Sequence, residues 1–366
     1  MKVPLLDLNA QYQPVADQVL SAFKEVFDSK QFIGGKQIAE LEQKIAAYCG
    51  TKEAVGVSSG TDAILAVLMA LEIKPGDEVI TTPFTFFATA GCIRRLGAKP
   101  VFVDIEPDTY NINPVLIEKK ITSRTRAIIP VHIFGQCADM ERILHIAEQH
   151  RLPVIEDAAQ AIGAEYRGKK AGSMGLAGCF SFFPSKNLGA CGDGGMITVN
   201  DSALAEKLRF FRNHGMNPKY YHQFTGGNFR LDTIQAAILL VKLPLLESWH
   251  AGRIKNAAFY NKALAGIVGT PQKKDYGRMI YNQYTIECGK RDELKSHLTA
   301  KNIGCDIYYP VPLHLQECFS DLGYIPGDLP IAEKAARQVL SLPVYPELTD
   351  EQKEYVTAEI KNFYKN

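Results

Sequence analysis

The sequence predicts an α/β fold, with a large, mostly parallel sheet covered by helices on both faces and a smaller C-terminal α+β domain. Three observations carry this reading. From about residue 50 to residue 160, short apolar runs alternate with helical patterns, as repeated strand–helix–strand units do. Runs such as AIIPV and PVIE are apolar without alternation, as strands buried on both faces are. Beyond residue 249 the chain changes character, becoming helical and rich in charged and amide residues.

Taken in order, AVGVSSG (54–60) reads as a strand and turn, and TDAILAVLMALE (61–72) as an amphipathic helix. EVITTPF (78–84), PVFVDI (100–105), RAIIPVHIFG (126–135) and PVIEDAAQ (153–160) read as further strands. FATAGCIRRLG (87–97) and MERILHIAEQH (140–150) supply helices between them. CFSFF (179–183) reads as a strand that Pro184 ends. DTIQAAILLVKLPLLESW (232–249) leads into a long helical segment running to about residue 265. YNQYTIEC (281–288), DELKSHLTAKNI (292–303) and a terminal helix from about residue 349 build the smaller domain. The expected division is 1–250, a large domain including the N-terminal segment, and 251–366, the small one.

Composition narrows the function. Of 366 residues, 46% are hydrophobic and 22% charged, and 41 Lys+Arg oppose 40 Asp+Glu for a net charge of +1. No strong field points to nucleic acid or a membrane as partner. The eight cysteines include no CxxC pair, which argues against a zinc site or a disulfide framework and suits reduced thiols. The N-terminal MKVPLLDLNAQYQP lacks the apolar core of a signal peptide, and no apolar run approaches the ~18 residues of a membrane span. The expected location is the cytoplasm.

The chemistry gathers at strand ends, where open parallel sheets bind ligands. In SSGTDA (58–63) a strand turns into a helix: Gly60 allows a tight turn, and Thr61 and Asp62 occupy the first helical turn with outward N–H groups, an anion site. Asp157 ends the apolar strand of VIEDAAQA, while Glu156 points to the opposite face, so a metal site is not expected. Lys186 lies in SFFPSKNLGACGDGG, between an aromatic run containing Ser181 and a glycine-rich tail expected to turn tightly under a ligand. A desolvated lysine has a lowered pKa and is a nucleophile. No P-loop or dinucleotide fingerprint occurs. Anion site, strand-end aspartate and nucleophilic lysine are together the parts that hold pyridoxal phosphate (PLP): helix N-terminus to phosphate, Asp157 to the pyridinium nitrogen, Lys186 as the Schiff-base amine.

Two rivals stand beside this. Gly56-Val57-Ser58-Ser59-Gly60 matches G-x-S-x-G, the nucleophile elbow of a serine hydrolase, which Asp157 and His214 or His314 would complete as a triad. Only 55 residues precede it, and no HGGG-like segment is present. A regulatory protein that keeps fold and cofactor without the chemistry is the other; the intact Lys186–Asp157 pair weighs against it.

At these residues the sequence resembles the DegT/DnrJ/EryC1/StrS family of PLP-dependent sugar aminotransferases, of aspartate-aminotransferase-like fold. The likeness runs through VPLLDLNAQY, FIGGKQIAELE, PGDEVITTPFTFFATA, GAKPVFVDI, PVHIFGQ, IEDAAQA, SFFPSKNLGACGDGG, GGNFRLDTIQAA and YYPVPLH, essentially the whole chain. It implies Lys186 as the PLP lysine, Asp157 at the ring nitrogen and Gln160 by the 3′-oxygen. Gly60, Thr61, Asp62 and Ser181 would lie at the phosphate, with Phe86 stacked on the ring. Asn228 would reach the phosphate of a neighbouring subunit, which implies a homodimer. Tyr308 stands where many members carry histidine, so a substrate role there is in doubt; Tyr309 and His314 remain candidates. Arg230 is a charge-matched partner for a uronate carboxylate. The resemblance implies transfer of an amino group from glutamate to a nucleotide-linked keto-sugar. A UDP-2-acetamido-3-keto-glucuronate type aminated at C3 fits best, with dTDP-3-keto-6-deoxyhexoses or 4-keto-sugars as alternatives.

Overall fold

The computed structural model describes residues 1–365. Two N-terminal helices, α1 (Ala16–Ser29) and α2 (Lys36–Cys49), precede strand β1 (Glu53–Val57) and helix α3 (Gly60–Ala70). Then follow β2 (Glu78–Thr81), α4 (Ala88–Arg95), β3 (Lys99–Phe102), β4 (Thr125–Ile129), α5 (Met140–Gln149) and β5 (Ile155–Asp157). The large sheet is completed by β6 (Ala177–Ser181) and β7 (Gly195–Val199), after which come α6 (Ser202–Phe211), α7 (Thr233–Lys242) and α8 (Leu246–Ala263). β8 (Tyr284–Glu287), α9 (Arg291–Ala300), α10 (Pro330–Gln338), β9 (Val339–Leu342) and α11 (Asp350–Lys365) form the C-terminal part.

The strands run β1-β7-β6-β5 and β3-β2-β4, and parallel bridges Ile128–Val154 and Val131–Asp157 join β4 to β5. Pairing is parallel throughout except at β7, which is antiparallel to both β1 and β6. The expected mostly parallel sheet is present. The strands β2 and β5–β7 are buried along nearly their whole length, as their unalternating apolar runs require.

Helix α3 differs from expectation. Its residues are buried on almost every side, because it packs between the sheet and helices α4 and α6. An apolar face all round is the pattern of an enclosed helix, not of an amphipathic surface one. The long helical segment expected to run to about residue 265 is α8, and Pro244 lies in a 3-10 turn, Leu243–Leu245, that separates it from α7. A second core gathers Tyr260, Tyr284, Leu340 and Ile360 with Val3, Phe84 and Phe102 from the N-terminal half. Val3 pairs with Ile303, so the first residues of the chain pack on its C-terminal part.

Candidate active site

Several elements meet at one edge of the sheet. β1, β5 and β6 end there, and β7 begins there with Gly195 opposite both Val57 and Ser181. This register sets the start of α3 against Ser181: a Cβ on Gly60 would stand 2.8 Å from the Ser181 Cβ. Gly60 is therefore required by close approach and not by the tight turn expected of it. Ser59 caps α3, its Oγ accepting the Asp62 N–H at 3.0 Å. The Asp62 carboxylate in turn accepts from the Ser58 and Ser59 hydroxyls at 2.6 and 3.0 Å. Asp62, expected to donate to an anion, has thus committed its N–H to the cap. The Gly60 and Thr61 N–H groups have no acceptor among the described residues, and Ser181 Oγ accepts from Phe183 N–H at 3.3 Å with its own proton free to donate.

Asp157 is buried at the end of β5. Its Oδ2 accepts from the Thr89 hydroxyl at 2.7 Å and its Oδ1 from the Ala159 N–H at 3.2 Å. Burial raises its pKa above the ordinary aspartate value, opposed by those two hydrogen bonds and by the charge of Lys186. The back face of β5 is braced independently. Glu156 accepts N–H groups of Gly172, Met174 and Gly175 at 2.7–2.8 Å and pairs with His132 Nε2 at 2.9 Å. His132 Nδ1 accepts from Ala138 N–H, which assigns the ring proton to Nε2. As expected, Glu156 faces away from Asp157's site. Among the described residues no group of three or more His, Cys, Asp or Glu is placed to hold a metal ion.

Lys186 follows β6 on a loop folded against itself. Its N–H donates to Phe183 C=O at 2.8 Å, and Ala190 N–H donates to Phe182 C=O at 2.7 Å. A Cβ on Gly189 would lie 2.3 Å from the Pro184 carbonyl, and one on Gly195 2.4 Å from the Ser59 carbonyl. The glycines after Lys186, expected to wrap a ligand, let the loop close on itself and β7 enter beside Ser59. Enclosure of the amine lowers the Lys186 pKa from 10.5 to about 8, with the Asp157 charge pulling the other way. β5, which ends at Asp157, pairs with β6, whose end leads into the Lys186 loop.

The amide of Gln160 is fixed by two bonds: Oε1 accepts from Phe134 N–H at 2.8 Å, and Nε2 donates to the Tyr309 hydroxyl at 3.1 Å. Phe86 is 59% exposed, with its ring 6.4 Å from that of Tyr309. Tyr308 stands half-buried beside Tyr309. His314, a substrate candidate from sequence, is placed otherwise: it is buried, bonded to Glu333 at 3.2 Å and edge-on to Tyr324. Arg230 is bridged to Val57 at the end of β1, while its side chain bonds elsewhere. Asn228 is exposed on a segment bridged to Asn213. Arg230 donates to Asn213 Oδ1 at 2.9 Å and lines a separate cavity of about 350 Å³ with Arg209, Arg212 and Glu42. No hydrolase triad assembles: Ser58 is bonded to Asp62, Asp157 to Thr89 and His314 to Glu333.

Thr89 is the residue that sequence reasoning missed. Its hydroxyl lies 3.1 Å from that of Thr85, so a hydroxyl pair leads to Asp157. Nothing local in the sequence marks it, because its bond to Asp157 spans 68 residues. Thr89→Val keeps the shape and removes the donor. Turnover should fall about tenfold or more, the worth of a hydrogen bond to a charged group, and Thr89→Ser should retain most of it in steady-state assays.

Free amides with a hydroxyl suit a phosphate, a buried carboxylate suits a ring nitrogen, and an amine of lowered pKa suits an aldehyde. The residues therefore fit PLP. The profile of the DegT/DnrJ/EryC1/StrS aminotransferase family matches residues 15–361. The chain is 54% identical over 370 residues to a pleiotropic regulatory protein of Geobacillus stearothermophilus, covering all of both chains. It is 46% identical over 351 residues to a UDP-N-acetyl-3-dehydro-alpha-D-glucosamine 3-aminotransferase of Acidithiobacillus ferrooxidans, covering 96% of this chain and 95% of the relative. The crystal structure of S. venezuelae DesV superimposes with a TM-score of 0.97 at 42% identity, covering 100% of this chain and 99% of that one. By profile, relatives and site alike, the chain belongs to the DegT/DnrJ/EryC1/StrS aminotransferase family and is a PLP-dependent sugar aminotransferase.

Proposed function

We propose that the enzyme moves the amino group of glutamate onto C3 of a UDP-linked 2-acetamido-3-keto sugar. The observation that supports this most is the 46% identity, over nearly the whole of both chains, to the Acidithiobacillus 3-aminotransferase. Bound PLP supplies an electron sink for the carbanion formed at the donor Cα. The free amides of Gly60 and Thr61 and the Ser181 hydroxyl receive its phosphate, while Asp157 holds the ring nitrogen protonated. Gln160 would meet its 3′-oxygen, with Phe86 and Tyr309 beside it. Lys186 would anchor the cofactor, and its amine is the group placed to carry the proton of the donor Cα.

Asn228, exposed on its own chain, reaches the phosphate of a second copy in this reading, so two chains share their sites as a homodimer. Arg230, two residues further on, is the cation available to a C6 carboxylate. A uronate such as UDP-2-acetamido-3-keto-glucuronate would use it, and a C6 hydroxymethyl sugar would not. The large domain ends at α8 near residue 250. No helix among the described residues is long and apolar enough to cross a membrane, and the unpaired cysteines suit a reducing cytoplasm.

The test is product analysis. Purified enzyme is given glutamate and, separately, UDP-linked 3-keto sugars with and without a C6 carboxylate, dTDP-3-keto-6-deoxyhexose and a 4-keto sugar, with products identified by mass and NMR. The expected result is a 3-amino UDP-sugar and 2-oxoglutarate. Amination of the dTDP or 4-keto substrate alone would overturn the substrate assignment. The Geobacillus relative's name raises a regulatory reading; failure even to convert glutamate to 2-oxoglutarate would favour it.

A further inference from the structure

Lys242 is a residue whose chemistry the reaction does not use and whose burial demands a reason. It ends α7 fully buried, and its ammonium donates to the Gly189 carbonyl, to the Tyr12 hydroxyl at 2.9 Å and to Gln11 Oε1 at 3.4 Å. None of these acceptors is a carboxylate. The rings of Tyr12 and Trp249 lie 4.1 and 5.6 Å away, a cation–π setting that offsets part of the lost hydration. A buried cation hydrogen-bonded to no carboxylate is costly even with the Glu347 charge acting on it, and an apolar side chain would fill the same space.

Two of its contacts, Gly189 and Tyr12, lead to the loop carrying Lys186. Tyr12, accepting from Lys242, donates to the Ala190 carbonyl at 3.1 Å. Gln235, seven residues before Lys242 in α7 and on the same helix face, grips Cys191 twice: Oε1 accepts its N–H at 2.9 Å and Nε2 donates to its carbonyl at 3.3 Å. Carbonyls 189, 190 and 191 are therefore each held from outside the loop, which Ala190 N–H and the Pro184–Gly189 approach close from within.

We propose that α7 is a clamp on the lysine loop, in which Lys242 and Gln235, with Tyr12 between them, are positioning residues that fix where the Lys186 amine stands. The clamp acts on the amine before any sugar binds. Its test therefore uses the PLP-loaded enzyme and the glutamate half-reaction, independent of the sugar acceptor.

Lys242→Met removes the donors at similar volume, and Lys242→Arg keeps charge and donors. Gln235→Leu releases Cys191 from the other end of the clamp, and it decides the matter if Lys242→Met does not fold. Lys242→Met and Gln235→Leu are each expected to slow the half-reaction about tenfold, as misplaced reacting groups do, with the KM for glutamate within about twofold. Each should also speed hydrogen exchange of the 182–191 peptide in the apoenzyme and shift the pH midpoint of the bound cofactor's visible band. Lys242→Arg should recover part of each change. Lowered thermal stability with unchanged half-reaction rate, loop exchange and pH midpoint would overturn the proposal and leave Lys242 a core residue only.

Discussion

Lys186→Ala is expected to keep the fold and to lose turnover by about four orders of magnitude or more, because in the proposed reaction one amine serves as covalent anchor and as proton carrier. The variant should lose the visible band of the bound cofactor, and steady-state assay with glutamate should show no turnover. The pH dependence of cofactor capture follows from the amine's environment. In the apoenzyme Lys186 is protonated below its lowered pKa of about 8, and the ammonium cannot attack an aldehyde. Capture of PLP, followed by absorbance after rapid mixing, should therefore quicken as pH rises toward 8 and level off above it. A lysine of ordinary pKa would show the rise near 10.5. The same shift has a stability consequence. Between about 8 and 10.5 the unfolded chain holds a proton that the folded chain has released, so this group's contribution to stability rises with pH through that window.

Asp157→Asn is the second large effect expected. It preserves the size of the side chain and removes the charge that, in the proposed reaction, holds the ring nitrogen protonated. Transamination should fall about 10²- to 10⁴-fold, the range associated with a lost acid–base partner, while cofactor stays bound through Lys186 and the phosphate contacts. Measuring kcat beside the cofactor content of purified protein separates the two. In the apoenzyme the Asp157 carboxyl should titrate above the ordinary aspartate range, because burial raises it. Thr89→Val should move it higher still, since the Thr89 hydrogen bond lowers it. Carbon NMR of labelled aspartate reads both.

What the sequence discloses of this site is set by how local each feature is. The strand ends carrying Asp157 and Ser181 follow from apolar runs that stop at polar residues, and Lys186 stands out because its neighbours are aromatic and glycine-rich. The direction of β7 is not legible. A five-residue apolar run looks the same whichever way it pairs, and the register of Gly195 with Val57 and Ser181 is decided by residues far along the chain. For the same reason Gly60 reads locally as a turn glycine, whereas its constraint is the Ser181 side chain across two strands.

Helix α3 reads as amphipathic from its sequence, because the chain does not reveal that a second layer of helices covers its outer face. His314 sits in a motif that suggests a substrate contact, yet its partner is Glu333, nineteen residues on. Thr89 carries no signature at all, since a threonine near a helix start is ordinary and its bond to Asp157 spans 68 residues. Lys242 reads as the basic last turn of a helix, and only its complete burial sets it apart.

The account stands on Lys186 as the group that PLP attaches to. Borohydride reduction of the PLP-loaded protein, followed by proteolysis and peptide mass mapping, tests this most directly. The expected result is loss of the visible band and a reduced cofactor adduct confined to the peptide containing Lys186. An adduct on the buried Lys242 or on any other lysine, or no adduct at all, would contradict it.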